Sequence, residues 1–471
     1  MIFRNLVFTF LIFLFFSCQS RKSEISNIGD DLTPDNWRAD LKEFQSENNT
    51  SFWTESFNIP ELTRLILISN ENNPNLAAMR ERLIAQGEDA TIAGAKILPV
   101  FNANLGGSRT KRNLIGFNFP NSESSFTSNS FNSGLNISWE LDLWGKIKDS
   151  RNSAKKRFEA TSSDYKAARL SLNGQVAKSW FTLIENSFQI QLVRKTTETY
   201  SQNLSFINDR YQKGIATALE QKLAEASLRS SQATLAQRVR IQETLSRNLQ
   251  EITGEYPNGR FDRNSSFTLP KLILPALPPT PSQVIELRYD ISSAKHKVEA
   301  SGLELKVANK NLLPSFTLTG GPGSRSDDFE SLIDEKFRVW EVTGAISQPL
   351  FQGGRLRAGV RKSEALKRAA LLDLKTMVLR AFAEVENALS SDIHLAEEEK
   401  NLFNASSALS AAADLSWERY QRGVEGIFNT LDTRRRAFEA ESRYLMIKKE
   451  RILNRIDLYL AIGTEAVAPE L

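Results

Sequence analysis

Apolar and polar positions along the chain change period twice, and in the same order in each half. From Gly145 to Gly254, and again from Gly354 to Gly463, there is no proline and apolar residues recur at helical spacing. Leu371, Leu374, Val378, Ala381, Val385 and Ala388 follow the 3, 4, 3, 4, 3 spacing of a coiled-coil seam. Each stretch is interrupted once, at Arg210-Tyr211-Gln212-Lys213-Gly214 and at Arg419-Tyr420-Gln421-Arg422-Gly423. The pattern predicts a long helix, a tight turn at glycine, and a shorter helix returning to Gly254 or Gly463, both suited to cap a helix C-terminus. Lys146 to Arg210 spans 65 residues, a helix of about 100 Å.

Before each helical stretch the period falls to two. Phe101, Ala103 and Leu105 alternate with Asn102, Asn104 and Gly106. A polar loop that includes Asn121 to Ser125 follows. On the return, Phe131, Leu135, Ile137, Trp139 and Leu141 share one face, and Asn132, Gly134, Asn136, Ser138, Glu140 and Asp142 the other. In the second half Phe316 and Leu318 alternate with Thr317 and Thr319. Gly320 to Ser331 reads as the loop, with Gly320-Gly321-Pro322-Gly323 at the hairpin tip. Trp340, Val342 and Ile346 then oppose Glu341, Thr343, Ala345 and Ser347. One apolar and one polar face over about 11 residues fits a strand crossing a bilayer, with lipid on one side and water on the other. A half-exposed strand of a soluble sheet gives the same alternation. Glu140, Asp142 and Glu341 are the candidate charges of a polar, pore-lining face.

The two pentads, Ile137-Ser138 with Ile346-Ser347, and the closing glycines all lie 209 residues apart, while Leu98-Pro99 and Leu313-Pro314 lie 215 apart. The difference falls inside a hairpin loop, as an internal duplication predicts. The fold class is therefore mainly α with membrane β, built from long coiled-coil hairpins and two β-hairpins per chain. A signal segment (1–17) and a tether (18–60) precede the first repeat (61–254), with helices over 61–97 and 146–254 and a β-hairpin over about 99–143. Asn73-Pro74 divides its first helical segment. A crossing segment (255–281) with six prolines between Tyr256 and Pro281 leads to the second repeat (282–463). That repeat has a helix over 282–312 capped by Ser282, a hairpin over about 314–350 and helices over 354–463, before a short tail (464–471).

The N-terminus adds an address. Arg4 precedes an apolar run from Leu6 to Phe16, too short to span a bilayer, ending at Ser17-Cys18. Cys18 is the one cysteine in 471 residues, so no disulfide forms within the chain. Placed at a signal junction, with Phe15 three residues before it, it reads as a lipoprotein site: cleavage, then acylation of the new N-terminus, palmitate included. Gln19 in the next position favours the outer membrane under the bacterial sorting rule. Net charge is +4 and spread along the helices, and Arg434-Arg435-Arg436 is isolated, so nothing marks a nucleic-acid face. The two histidines, His296 and His394, have no second ligand at metal spacing, and no phosphate loop or nucleophile motif occurs. No enzyme and no cofactor are expected beyond the covalent lipid. A periplasmic adaptor or scaffold lipoprotein also uses a helical hairpin, but has one where this chain has two, and lacks bilayer-length strands.

Four strands cannot close a barrel, and an open sheet edge in lipid leaves backbone groups unpaired at several kcal/mol each. Two chains give eight strands, a bore that side chains largely fill; three give twelve. The ordered set Phe52-Trp53, Asn73-Pro74-Asn75-Leu76, Leu98-Pro99, Trp139 to Lys146, the paired pentads, Ser347 to Gly354 and Leu431-Asp432 resembles the TolC-like outer membrane factors, specifically their lipoprotein efflux-channel branch. The likeness covers nearly everything after residue 50. It implies a homotrimer in the outer membrane, with a twelve-stranded barrel and a twelve-helix periplasmic tunnel. It further implies a tip that docks a periplasmic adaptor coupled to an inner-membrane pump. On that resemblance the docking residues are Arg210, Tyr211 and Gly214 with Arg419, Tyr420 and Gly423. The periplasmic gate is Asp432, with Asn429 where a second Asp often stands and with Arg435 and Arg436 beside it. A ring of three Asp432 carboxylates would raise one another's pKa by like-charge proximity, a tendency the arginines would offset.

Overall fold

The computed structural model describes residues 33–39, 52–113, 125–260, 269–270, 272 and 278–467. The signal segment and Cys18 lie outside them.

Each repeat lays down the same series of elements. In the first, α1 (Pro60–Asn72) and α2 (Pro74–Ala95) lead into β1 (Val100–Asn113) and β2 (Ser125–Leu141), then α3 (Lys146–Gln212) and α4 (Ala218–Thr253). In the second, α5 (Pro281–Leu287) and α6 (Tyr289–Lys310) precede β3 (Ser315–Ser326), β4 (Arg338–Ser347), α7 (Arg355–Gln421) and α8 (Ile427–Ile462). The helices that precede the hairpins end 215 residues apart and those that follow them start and end 209 apart, so the duplication holds for whole elements. The second repeat departs from expectation at its start. Thr280, not Ser282, caps the first helix through a reciprocal box with Gln283, and the predicted helix over 282–312 is broken at Arg288. Arg288 has extended backbone, as Asn73 does 215 residues earlier.

The two break points perform one task with different chemistry. The Asn73 side chain accepts from Leu76 N (3.0 Å), capping α2, and donates to Ile252 O (2.8 Å) in the last turn of α4. Arg288 donates to Ala461 O (2.9 Å), the carbonyl 209 residues beyond Ile252, and pairs with Asp290 (2.7 Å) and Glu384 (2.8 Å). Each copy thus ties its entry break to the end of its returning helix. Gly254 closes α4 at φ +76°, and a Cβ there would meet Asn72 O at 2.3 Å, so both handedness and space demand glycine.

Hydrophobic burial falls in three clusters along the length. Near the ends of the helical hairpins, Trp53, Phe57, Leu62 and Ile66 pack on Trp180, Phe181, Ile184 and Ile456. The Thr54 hydroxyl donates to Ala466 O and Trp53 N to Glu465 O, fastening the N-terminal 3-10 turn to the tail. On the other side, the predicted seam of α7 is found buried, from Leu374 to Ala388, with Leu371 partly covered. Trp37 joins it: its ring meets Phe382 edge-on and its Nε1 donates to Pro279 O (2.7 Å). Each such side chain, fully buried, contributes about 1.5–3 kcal/mol. A third, smaller cluster lies at the far tips.

The strands form one antiparallel sheet in the order β1-β2-β3-β4, with β1 and β4 at its edges. They are longer than the alternation suggested. Gly107 to Asn113 and Ser125 to Ser130, expected as loop, lie in the β1–β2 ladder. Gly320 to Ser326 belongs to β3, so Gly320-Gly321-Pro322-Gly323 is not a hairpin tip but mid-strand, paired on both sides. The reason is close backbone approach. A Cβ at Gly320 would sit 2.3 Å from Glu341 O, and one at Gly321 would sit 1.7 Å from Leu135 O. Among the described residues no helix is long and apolar enough to cross a membrane.

Candidate functional site: the sheet faces and the helical tips

Register converts the alternation of separate strands into two continuous faces. Phe101 pairs with Ile137, Trp139 with Leu318, Phe316 with Ile346 and Pro322 with Trp340, so directly opposed residues carry one apolar face across all four strands. Phe101, Leu105, Trp340, Val342 and Ile346 on it are more than half exposed. The opposite face carries Asn102, Asn104, Asn132, Asn136, Thr317, Thr319, Glu341 and Thr343. At the helical end two indoles point their N–H groups at chain carbonyls: Trp139 Nε1 donates to Ile97 O (2.9 Å) and Trp144 Nε1 to Pro314 O (2.7 Å). An apolar ring with a satisfied polar tip is the usual occupant of a membrane–water boundary.

The three charges assigned to this face have different fates. Glu341 lies on the polar side of β4, exposed, and accepts from Thr343 Oγ1 (2.9 Å). Glu140 is paired with Lys146 (2.5 Å). Asp142 is not a rim charge. It follows the end of β2, and its carboxylate accepts from Ile147 N (2.9 Å) and Lys148 N (2.7 Å), satisfying the first turn of α3. A carboxylate at a helix N-terminus is held there by the free amides and the dipole.

At the tips, Gly214 and Gly423 take φ of +71° and +77°. The next amides, Ile215 N and Val424 N, reach back to Arg210 O and Arg419 O, each at 2.9 Å. The pentads thus fold alike, yet their side chains diverge. Tyr211 is 42 % exposed whereas Tyr420 is 3 % exposed. Tyr420 packs with Phe206 and Trp417, lies under the Arg210 guanidinium (5.4 Å) and donates its hydroxyl to Glu220 (3.4 Å). Burial, then the nearby Glu220 charge, pushes this phenol up. Tyr420 is therefore not a docking residue in its own right; with Arg210 it fastens one hairpin tip to the other. The residues left open are apolar and equivalent by duplication: Ile215 (61 %) with Val424 (64 %), and Leu219 (68 %) with Phe428 (69 %). Sequence reasoning passed over these, although the 209-residue offset pairs them.

Beyond the second tip, Asp432 accepts from Arg435 Nη2 (2.6 Å) and Arg436 Nε (2.7 Å), and Arg435 also holds Glu439 (2.6 Å). The Arg435 hydrogen bond, supported by Arg436, keeps the Asp432 carboxyl below its ordinary value, so within one chain the expected upward shift is reversed. Asn429 donates to Glu425 (2.8 Å), and this bond, with Arg419 at 3.4 Å, holds Glu425 low. An acid absent from the expected set therefore sits beside Asn429. Arg434 turns away to Asp414 (3.0 Å).

Folding also gives His296 the neighbours its sequence context lacked. Its Nδ1 is 3.4 Å from Glu159 and 3.7 Å from Glu299. Lys156 donates to both carboxylates (2.7 and 2.9 Å), so a cation of the chain's own already serves them. Cys18, the expected lipid site, lies outside the described residues.

Residues 65–255 and 280–464 match the family model described as outer membrane efflux protein, the two matched segments following the two repeats. Among curated proteins the chain is similar to the pyoverdine export outer membrane protein OpmQ of Pseudomonas putida, 28% identical over 427 residues that cover 87% of each chain. It is also similar to outer membrane protein OprJ of Pseudomonas aeruginosa, 27% identical, with 88% of this chain and 86% of that one covered. A membrane protein structure from Pseudomonas aeruginosa superposes with a TM-score of 0.83 at 27% identity, over 92% of this chain and 97% of that one.

Proposed function

The chain belongs to the outer membrane efflux protein family, and from that membership we propose that three copies enclose one passive exit duct for small molecules. It is an outer membrane channel of a tripartite efflux system. The observation that carries the trimeric reading is the sheet: four strands, one face apolar throughout, and two edges without partners in the chain. In lipid those edges are too costly to leave open, and a second copy's β1 on β4 pairs them. Eight strands would leave no bore; twelve leave one. The 67-residue helices α3 and α7 continue it as a tube of about 100 Å into the periplasm.

The remaining assignments follow the same frame. The exposed apolar pairs at Ile215, Leu219, Val424 and Phe428, with Arg210, Tyr211, Gly214, Arg419 and Gly423 around them, form the surface for the adaptor. Asp432, tied to Arg435 and Arg436, forms the gate. Acylated Cys18 adds a lipid anchor. Transport energy comes from the inner-membrane pump. The experiment is the mass of the detergent-solubilised protein together with its conductance in planar bilayers. A conducting trimer is the expected result; a monomer, or a trimer without conductance, overturns the reading.

A further inference from the structure

The two ends of the sheet that lie farthest from the helices carry opposite charge. β1 ends in Arg109, Lys111 and Arg112, all exposed, whose partners across the ladder are Asn129, Thr127 and Phe126. None of the three has an acidic partner among the described residues. The β3–β4 connection holds Asp327, Asp328, Glu330, Asp334 and Glu335 against the single Lys336. Of these acids only Glu335 is ion-paired among the described residues, with Arg338 (3.0 Å). The connection is folded onto the sheet: the Phe329 ring meets Phe131 edge-on at 5.7 Å, Leu332 is buried, and the Ser324 hydroxyl donates to Phe337 O (3.1 Å). Its acids are therefore held in place at the β4 edge. The bases stand at the β1 edge, with β2 and β3 between them.

Strand lengths decide where these groups meet in an assembly. β1 has 14 residues and β4 has 10, and both adjoin helices at the same end of the sheet. When β4 of one copy pairs antiparallel with β1 of the next, ten rungs counted from Val100 end near Arg109. Lys111 and Arg112 then project past the first residue of β4, to the level of Asp334 and Glu335. We infer that the basic end of β1 and the acidic β3–β4 connection form an electrostatic latch between neighbouring copies at the outer mouth of the barrel. The occupant of each surface is a second copy of this chain. The latch rests on the trimeric reading above and adds which edges recognise each other. It also favours the closed ring, because acid meets acid or base meets base if two like edges approach.

The full-length protein in detergent tests it. Lys111→Glu with Arg112→Glu, or Asp334→Lys with Glu335→Lys, is expected to speed trimer dissociation several-fold, each exposed pair being worth up to about fivefold. Raising salt should shrink the difference, and the combined four-residue variant should recover the wild-type rate. A Lys111→Cys, Glu335→Cys protein should also give cross-linked dimers and trimers that neither single cysteine variant gives. Unchanged dissociation in both reversed variants, or no recovery in the combined one, overturns the latch while leaving the trimer intact. A wild-type protein that is monomeric overturns the trimeric reading itself, and the latch with it.

Discussion

Asp432 is exposed to solvent along one edge, yet two guanidinium groups from the next turn of its own helix hold it. Removing the carboxylate frees Arg435 and Arg436 to repel their copies across a threefold axis, so Asp432→Ala should raise leak current through the resting channel. The sign of the pH dependence follows from the downward shift. The tie is present above the ordinary carboxylate range, about pH 4, and is lost as pH falls through the lower folded value. Planar-bilayer recordings should show a steady wild-type leak from neutral to mildly acid pH and a rise only in stronger acid. Asp432→Ala should leak at every pH without that rise; equal leak in the two proteins removes Asp432 from the gate. The cluster of one acid and following arginines was legible in the sequence, because helical spacing alone brings positions three and four apart together. The unequal fates of Tyr211 and Tyr420 were not. The pentads are nearly identical, and what buries one tyrosine is the partner hairpin.

Among the elements, helices were more legible than strands. Their boundaries carry local chemistry: glycine at the closing turns, proline and Asn73 at α2, the Thr217–Glu220 box at α4. β3 was cut short because Gly320-Gly321-Pro322-Gly323 reads locally as a turn, whereas tight packing of three strands selects those residues. Gly321→Ala should therefore disturb assembly: its Cβ would lie 1.7 Å from Leu135 O at φ +154°. Overpacking of this kind costs about 1–3 kcal/mol or more, and heat-resistant trimer on a gel should fall accordingly. Gly344→Ala, where nothing lies within 4 Å, should assemble as wild type and serves as the comparison. Equal trimer yield from both variants would show that the β2–β3 contact tolerates a side chain.

At the scale of the molecule, the duplication was visible from the first landmarks, but not how the copies are bound to one another. That binding is tertiary. Glu465 of the tail accepts from Arg169 of α3 (3.1 Å) and from the Tyr289 hydroxyl of α6 (2.8 Å), joining three distant segments. Burial, then Glu465, pushes the Tyr289 phenol up to about 12. Because the folded value is raised, its contribution is complete below the ordinary phenol value of about 10 and is lost as pH rises toward 12. Thermal melts followed by circular dichroism should show wild type losing stability over that window more steeply than Tyr289→Phe, and parallel curves would remove the tie. The sheet has a further consequence for flow. Gly134 and Gly323 face each other across the polar side, with Gly106 and Gly321 close by, so one band of that wall presents bare peptide and nothing longer. A wall so thinned keeps its full calibre there. Sieving by size then belongs to the far aperture of the helices, and cargo that clears it meets no narrower passage at that level of the membrane.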